Sequence, residues 1–230
     1  MIVHSLFHSS FLVETGSASL LFDYWRGTLP PLDPEKPLLV FVSHSHPDHY
    51  SREIFRLSHP AGLHYILSDE IPPCREMEGK CCHRMKPHEM LSLPLPRTDC
   101  EIRTLRSNDL GVAFLLRLGT EQLYHAGDLN NWWWDGDAED QALERQYRGE
   151  LSRIRGTHFR LAFVPLDPRL RSPEKGILDF LDYACTDCLV PMHFSADPSV
   201  IERFRAIPAF AELNRRTRFL PLREGVTAEV

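Results

Sequence analysis

Three imidazoles and a carboxylate fall within six positions in Ser43-His44-Ser45-His46-Pro47-Asp48-His49-Tyr50, directly after the apolar run Leu38-Leu39-Val40-Phe41-Val42. In extended backbone His44 and His46, two residues apart, project to the same side and can chelate one ion together. A turn at Pro47 lets the adjacent Asp48 and His49 reach a second ion close by, which is what a two-metal hydrolytic centre requires. Imidazole and carboxylate are donors that borderline divalent ions such as zinc prefer. A lone His-x-His would read more simply as a histidine-rich solvated loop. Two further segments argue against that here. Gly127-Asp128 follows the apolar hairpin of residues 111–116 and 122–124, and Pro191-Met192-His193 follows Leu189-Val190.

The elements that must position these residues are strands in the first half, at 2–7, 11–14, 19–23 and 38–42, with turn signals at Gly16 and Pro30-Pro31. Ser51 can cap a short helix through Ile54 and Leu57, and 63–67 returns as a strand. Residues 72–99 are broken by five prolines and read as short strands and exposed loops. The second half interleaves helices near 138–154, 174–184 and 198–206 with strands near 161–165 and 188–192. That alternation gives two sheets between helical layers.

Length sets one domain over 1–230 as the default. The hydrophobic fraction of 43% and charged fraction of 25% are those of an ordinary globular protein, so disorder is excluded. No apolar run reaches the ~20 residues of a membrane span, and the first residues lack the pattern of a secretory signal, so a cytoplasmic protein with reduced thiols is expected. A net charge of −6 argues against a broad nucleic-acid surface. Arg145, Arg148, Arg153, Arg155 and Arg160 cluster, but Leu143, Tyr147, Leu151 and Ile154 trace an apolar stripe through the same segment, which makes the arginines a solvated helix face.

The three strand-end sets, in this order, resemble the metallo-β-lactamase superfamily. That resemblance implies an α/β fold, a four-layer αββα sandwich, with His44, His46, Asp48, His49, Asp128 and His193 as metal ligands. It implies two divalent ions, zinc or manganese, bridged by Asp128, with Asp48 and Asp128 as the catalytic carboxylates and a hydroxide held between the metals as nucleophile. One departure stands out. The superfamily usually supplies another histidine just before the hairpin that leads to Gly-Asp, where this chain reads Leu105-Arg106-Ser107-Asn108-Asp109-Leu110-Gly111. Ser107, Asp109 or water would fill that place, with His83 and His88 as alternatives from upstream. The subsite of His44 and His46 should then hold zinc weakly and could favour a harder ion such as manganese. His8-Ser9-Ser10-Phe11-Leu12-Val13-Glu14, the run ending in Asp23, Asp167-Pro168 and Phe194 are similar to the branch containing ascorbate-6-phosphate lactonase.

Trp132-Trp133-Trp134 lies just beyond Asp128. Three consecutive tryptophans cannot all face a core. Trp132 and Trp133 are the expected aromatic wall for a substrate, with packing against helix 138–154 as the competing role, and Asp135 and Asp137 a helix start. Cys185-x-x-Cys188 has no second half-site and reads as ordinary thiols. His125 is expected on a sheet face, and His4, His59, His64 and His158 have no partner spacing. The expectation is a metal-dependent hydrolase of a small-molecule ester, lactone or phosphodiester. A nuclease of the same superfamily, or a non-catalytic metal-binding protein with a partly decayed site, stays open, as does assembly into a homo-oligomer.

Overall fold

Residues 38–42 are apolar and buried at every position, as a parallel strand covered on both faces must be. The computed structural model describes residues 1–230 and sets this strand inside a seven-stranded sheet. That sheet contains β1 (Ile2–Phe7), β2 (Ser10–Glu14), β3 (Ser19–Phe22), β4 (Leu38–Val42), β5 (Leu63–Ser68) and β6 (Cys81–Met85) in sequential order. A second seven-stranded sheet contains β7 (Met90–Pro94), β8 (Asp99–Arg106), β9 (Val112–Leu118), β10 (Glu121–His125), β11 (His158–Pro165), β12 (Cys185–Met192) and β13 (Arg218–Phe219). The C-terminal β14 (Thr227–Glu229) returns to the first sheet, antiparallel to β1.

Each sheet is half antiparallel and half parallel. β3 to β6 run parallel in the first, and β10 to β13 run parallel in the second. The carboxyl ends of parallel strands are where open sheets place ligands. Here they deliver Asp23 after β3, the histidine loop after β4, Asp128 after β10, Asp167 after β11 and His193 after β12.

One core of 48 residues joins the space between the sheets to the helix-covered face of the second, and between the sheets it includes Phe11, Phe22, Phe41, Phe114 and Phe163, whose rings contact one another. Truncating one of these to alanine should cost about 3–5 kcal/mol. Helices α1 (Ala138–Leu151), α2 (Lys175–Tyr183), α3 (Val200–Ala206) and α4 (Pro208–Arg216) follow in the second half. Phe180 of α2 stacks on Tyr124, 5.1 Å away. The five clustered arginines are all exposed. No helix is long and apolar enough to cross a membrane.

The helical layers are unequal. The expected helix after Ser51 is only a five-residue 3-10 turn, Arg52–Arg56, which the Ser51 side chain caps. Pro60 and the return to β5 leave it no room to lengthen. Its Ile54 and Phe55 join a separate eleven-residue cluster on the outer face of the first sheet.

At the site end the sheets come into backbone contact, Val112 N donating to Ser43 O at 3.0 Å. Only glycine permits this. A Cβ on Gly111 (φ +71) would fall 2.0 Å from Ser43 O, and one on Gly127 (φ +52) 2.7 Å from Ser43 Cβ.

Candidate metal centre

The chain gathers two adjoining donor groups: His44, His46, Asp109 and Asp128 in one, and His8, Asp48, His49 and His193 in the other. Within each group the donor atoms lie within 4.8 Å of one another. Asp128 stands between them. Its Oδ2 is 3.5 Å from His44 Nε2, while its Oδ1 is 3.1 Å from His49 Nε2 and 3.6 Å from His193 Nε2. Asp48 Oδ2 approaches His8 Nε2 at 3.4 Å and His193 Nε2 at 4.0 Å. The half-exposed His46 faces Asp109, Nδ1 to Oδ2 3.6 Å.

The inward-facing atoms carry the test of whether these residues suit metal ions. Nε2 of His8, His44, His49 and His193 and Oδ1 of Asp128 are buried and have no hydrogen-bond partner. Native structures rarely leave buried polar atoms unpaired, at a cost of about 1–3 kcal/mol each. Three of these nitrogens face Asp128 and the fourth, of His8, faces Asp48, and imidazoles and carboxylates so grouped are the donors that divalent cations satisfy together. The residues fit such ions.

Carboxylates behind the histidines aim them. His49 Nδ1 is 2.9 Å from Asp23 Oδ2, and His193 Nδ1 is 3.0 Å from Asp167 Oδ2. Each contact places the proton on Nδ1 and turns the Nε2 lone pair inward. Asp23 also accepts from Ser43 N and Ser43 Oγ at 2.7 Å, and Ser43 Oγ lies 2.9 Å from His44 Nδ1. Asp167 further holds the guanidinium of Arg169 through Nε at 3.0 Å.

Electrostatics follow from this geometry. Burial and then His49 depress His44 to about 4, leaving a neutral ring. Burial would do the same to His49, but Asp128 and Asp23 on either side outweigh it and raise its pKa well above 6.5. For Asp128 burial pushes upward, yet His49, His193 and His44 hold it below the usual carboxylate range. Asp48 is lowered, chiefly by His8. Asp109 is raised by burial and by Asp128.

His8, Asp23 and His193 share a further property, positive φ at 57°, 43° and 67°. Such backbone costs a non-glycine residue about 1–3 kcal/mol and concentrates at functional sites. From the β1–β2 turn the His8 ring reaches Asp48 and lies 4.1 Å from that of His193. Sequence reasoning placed His8, Asp23 and Asp167 in family-like motifs but assigned them no role.

Of the places considered for the missing histidine, the structure brings Asp109 to His46. Ser107 instead accepts from Asp109 N at 3.2 Å and shapes the turn that presents it. His83 and His88 are corrected: His83 sits on the far edge strand β6 and His88 faces Glu150 at 2.9 Å. The tryptophan assignment is corrected as well. Trp132 and Trp134 line the cleft and stack at 6.2 Å, with Trp132 Nε1 donating to Asp128 O. Trp133 points the other way, beneath Lys175 Nζ at 3.4 Å. Asp137 caps α1, and His125 stacks on Phe22 between the sheets. Cys185 is exposed and Cys188 buried, and neither is bonded.

The cleft above Asp128 has a volume of about 480 Å³. His46, Asp48, Asp109, His193, the two tryptophans and Arg169 line it.

Comparison with known proteins agrees with this architecture. Residues 3–139 match the family profile described as a beta-lactamase superfamily domain. A UPF0173 metal-dependent hydrolase of Desulforamulus reducens is 26% identical over 207 residues, covering 84% of each chain. Igni18, a metallo hydrolase from the archaeon Ignicoccus hospitalis, superposes with a TM-score of 0.64 at 19% identity, covering 100% of this chain and 98% of its own. CmlA, a diiron beta-hydroxylase from Streptomyces venezuelae, superposes at 0.62 with 11% identity, covering 100% of this chain and 54% of its own. At such identities these two structures establish a shared fold and leave the reaction to the site.

Proposed function

We propose that this chain, which belongs to the beta-lactamase superfamily and is a metal-dependent hydrolase, cleaves a small-molecule ester, lactone or phosphodiester with two divalent ions, zinc or manganese, held over Asp128. The observation that carries this reading is the convergence of unpartnered Nε2 atoms from His44, His49 and His193 on the two oxygens of Asp128, with that of His8 beside them facing Asp48.

One ion would be held by His44, His46, Asp109 and Asp128, the other by His8, Asp48, His49, Asp128 and His193. Divalent ions so bound supply a water-derived nucleophile near neutral pH and polarise the bond to be broken. The protein's own part is positional. Asp23 and Asp167 keep the Nδ1 protons of His49 and His193 away from the cleft. Trp132 and Trp134 offer an aromatic wall to a ring or apolar group. Arg169 is the one arginine lining the cleft, and no lysine lines it, which suits a single anionic group such as a phosphate or carboxylate.

This favours the small-molecule reading over a nuclease, whose groove would need many cations. The lactonase-like motifs around His8, Asp23 and Asp167 support a lactone among the candidates. We read 1–230 as one domain and place it in the cytoplasm, where its six unpaired cysteines would stay reduced.

The test is elemental analysis of protein purified without chelator, followed by a panel of esters, lactones and phosphodiesters. Bound zinc or manganese is expected, with hydrolysis that chelation abolishes and metal restores. Hydrolysis indifferent to chelation would sink the proposal.

A further inference from the structure

A third donor cluster lies away from the cleft, on the inner face of the first sheet at its open edge. β5 and β6 pair in parallel with His64 opposite Cys81 and Ile66 opposite His83. Since alternate residues share a face, His64, Cys81 and His83 point the same way. Cys81 Sγ is 3.3 Å from His64 Nδ1 and 3.4 Å from His83 Nε2, and the two rings lie 5.8 Å apart, nearly parallel. All three donor atoms fall within 4.8 Å of one another.

We propose that His64, Cys81 and His83 form a separate metal site for one thiophilic divalent ion such as zinc. With Zn–S of about 2.3 Å and Zn–N of about 2.0–2.1 Å, donors on a tetrahedral zinc are separated by roughly 3.3–3.6 Å. The sulfur already stands at that separation from both nitrogens. Three protein donors leave the fourth position to water, because Cys82 projects to the opposite face and packs in the outer cluster. Binding forms one S–metal and two N–metal bonds and sends the Cys81 thiol proton to solvent. The ion would clip β6, which has β5 as its only strand neighbour, in register.

A thiolate donor makes this site spectroscopically separable from the centre over Asp128, whose donors are all nitrogen and oxygen. Full-length protein, kept reduced, is loaded with cobalt(II). A near-ultraviolet sulfur-to-cobalt charge-transfer band, with a limiting amplitude of one thiolate-bound ion per chain, is expected, bleached by added zinc. It should vanish in Cys81→Ser, weaken several-fold in His83→Gln, and persist in Cys82→Ser and His49→Ala. Circular dichroism reports whether each variant is folded, and His83→Gln decides the matter if Cys81→Ser is not. Absence of the band in the parent protein, or its survival in folded Cys81→Ser or at full strength in folded His83→Gln, would overturn the proposal and leave a thiol hydrogen-bonded between two imidazoles.

Discussion

His49 Nδ1 and Asp23 Oδ2 are 2.9 Å apart, both fully buried, and come from the ends of neighbouring parallel strands. The pair fixes which ring nitrogen faces the cleft. Asp23→Asn replaces a carboxylate that accepts from His49 and Ser43 with an amide that can do so only in part. Metal affinity should fall by about 10–100-fold, measured by chelator competition on folded protein. Unchanged affinity would show that ring orientation is set elsewhere.

Asp128 is the one carboxylate whose two oxygens face different histidines, His44 on one side and His49 and His193 on the other. In Asp128→Asn the size is kept and the charge lost. Turnover on any substrate found should drop roughly 100-fold or more, with circular dichroism unchanged. Near-normal turnover would exclude a mechanism that needs the bridge.

Metal uptake should release protons. In the protein without metal, burial disfavours a charged His49, but Asp128 and Asp23 on either side outweigh it and raise its pKa, favouring the protonated ring. A metal can bind only the neutral ring. Loading therefore releases protons, and affinity weakens as pH falls. Calorimetry in buffers of different ionisation enthalpy counts the protons. The same raised pKa stabilises the metal-free fold below pH 6.5, and that contribution is lost as pH rises through the folded-state value.

The tryptophans separate by face. Trp134 is 39% exposed at the cleft, whereas Trp133 lies under Lys175. Trp134→Ala should raise KM several-fold with little change in kcat, and Trp133→Ala should leave KM alone. A KM effect confined to Trp133→Ala would reverse the assignment.

Strand-end chemistry was legible in the sequence wherever a ligand followed its own strand, as with the loop after β4, Asp128 after β10 and His193 after β12. Local periodicity suffices there. The second donor layer was not, because Asp23–His49 and Asp167–His193 are contacts between strands and depend on register. His8 escaped a role because it relies on a left-handed backbone that nothing in its local sequence demands. Alternation placed one tryptophan opposite its neighbours, but its phase came from the turn held by Asp140, which accepts from the backbone of residues 134–136. His64 had no partner spacing along the chain; its partners lie across the β5–β6 ladder.

Each proposed subsite draws donors from both sheets: His44 and His46 meet Asp109 and Asp128, and His8, Asp48 and His49 meet Asp128 and His193. Neither sheet carries a complete set. Ion capture is thus thermodynamically a measure of how well the two halves dock, and at a free metal concentration 100 times the dissociation constant it would add about 2.7 kcal/mol to stability. A substitution that loosens the inter-sheet core, such as Phe114→Ala, should weaken metal binding as if a ligand had been disturbed, and saturating metal should mask part of its destabilisation.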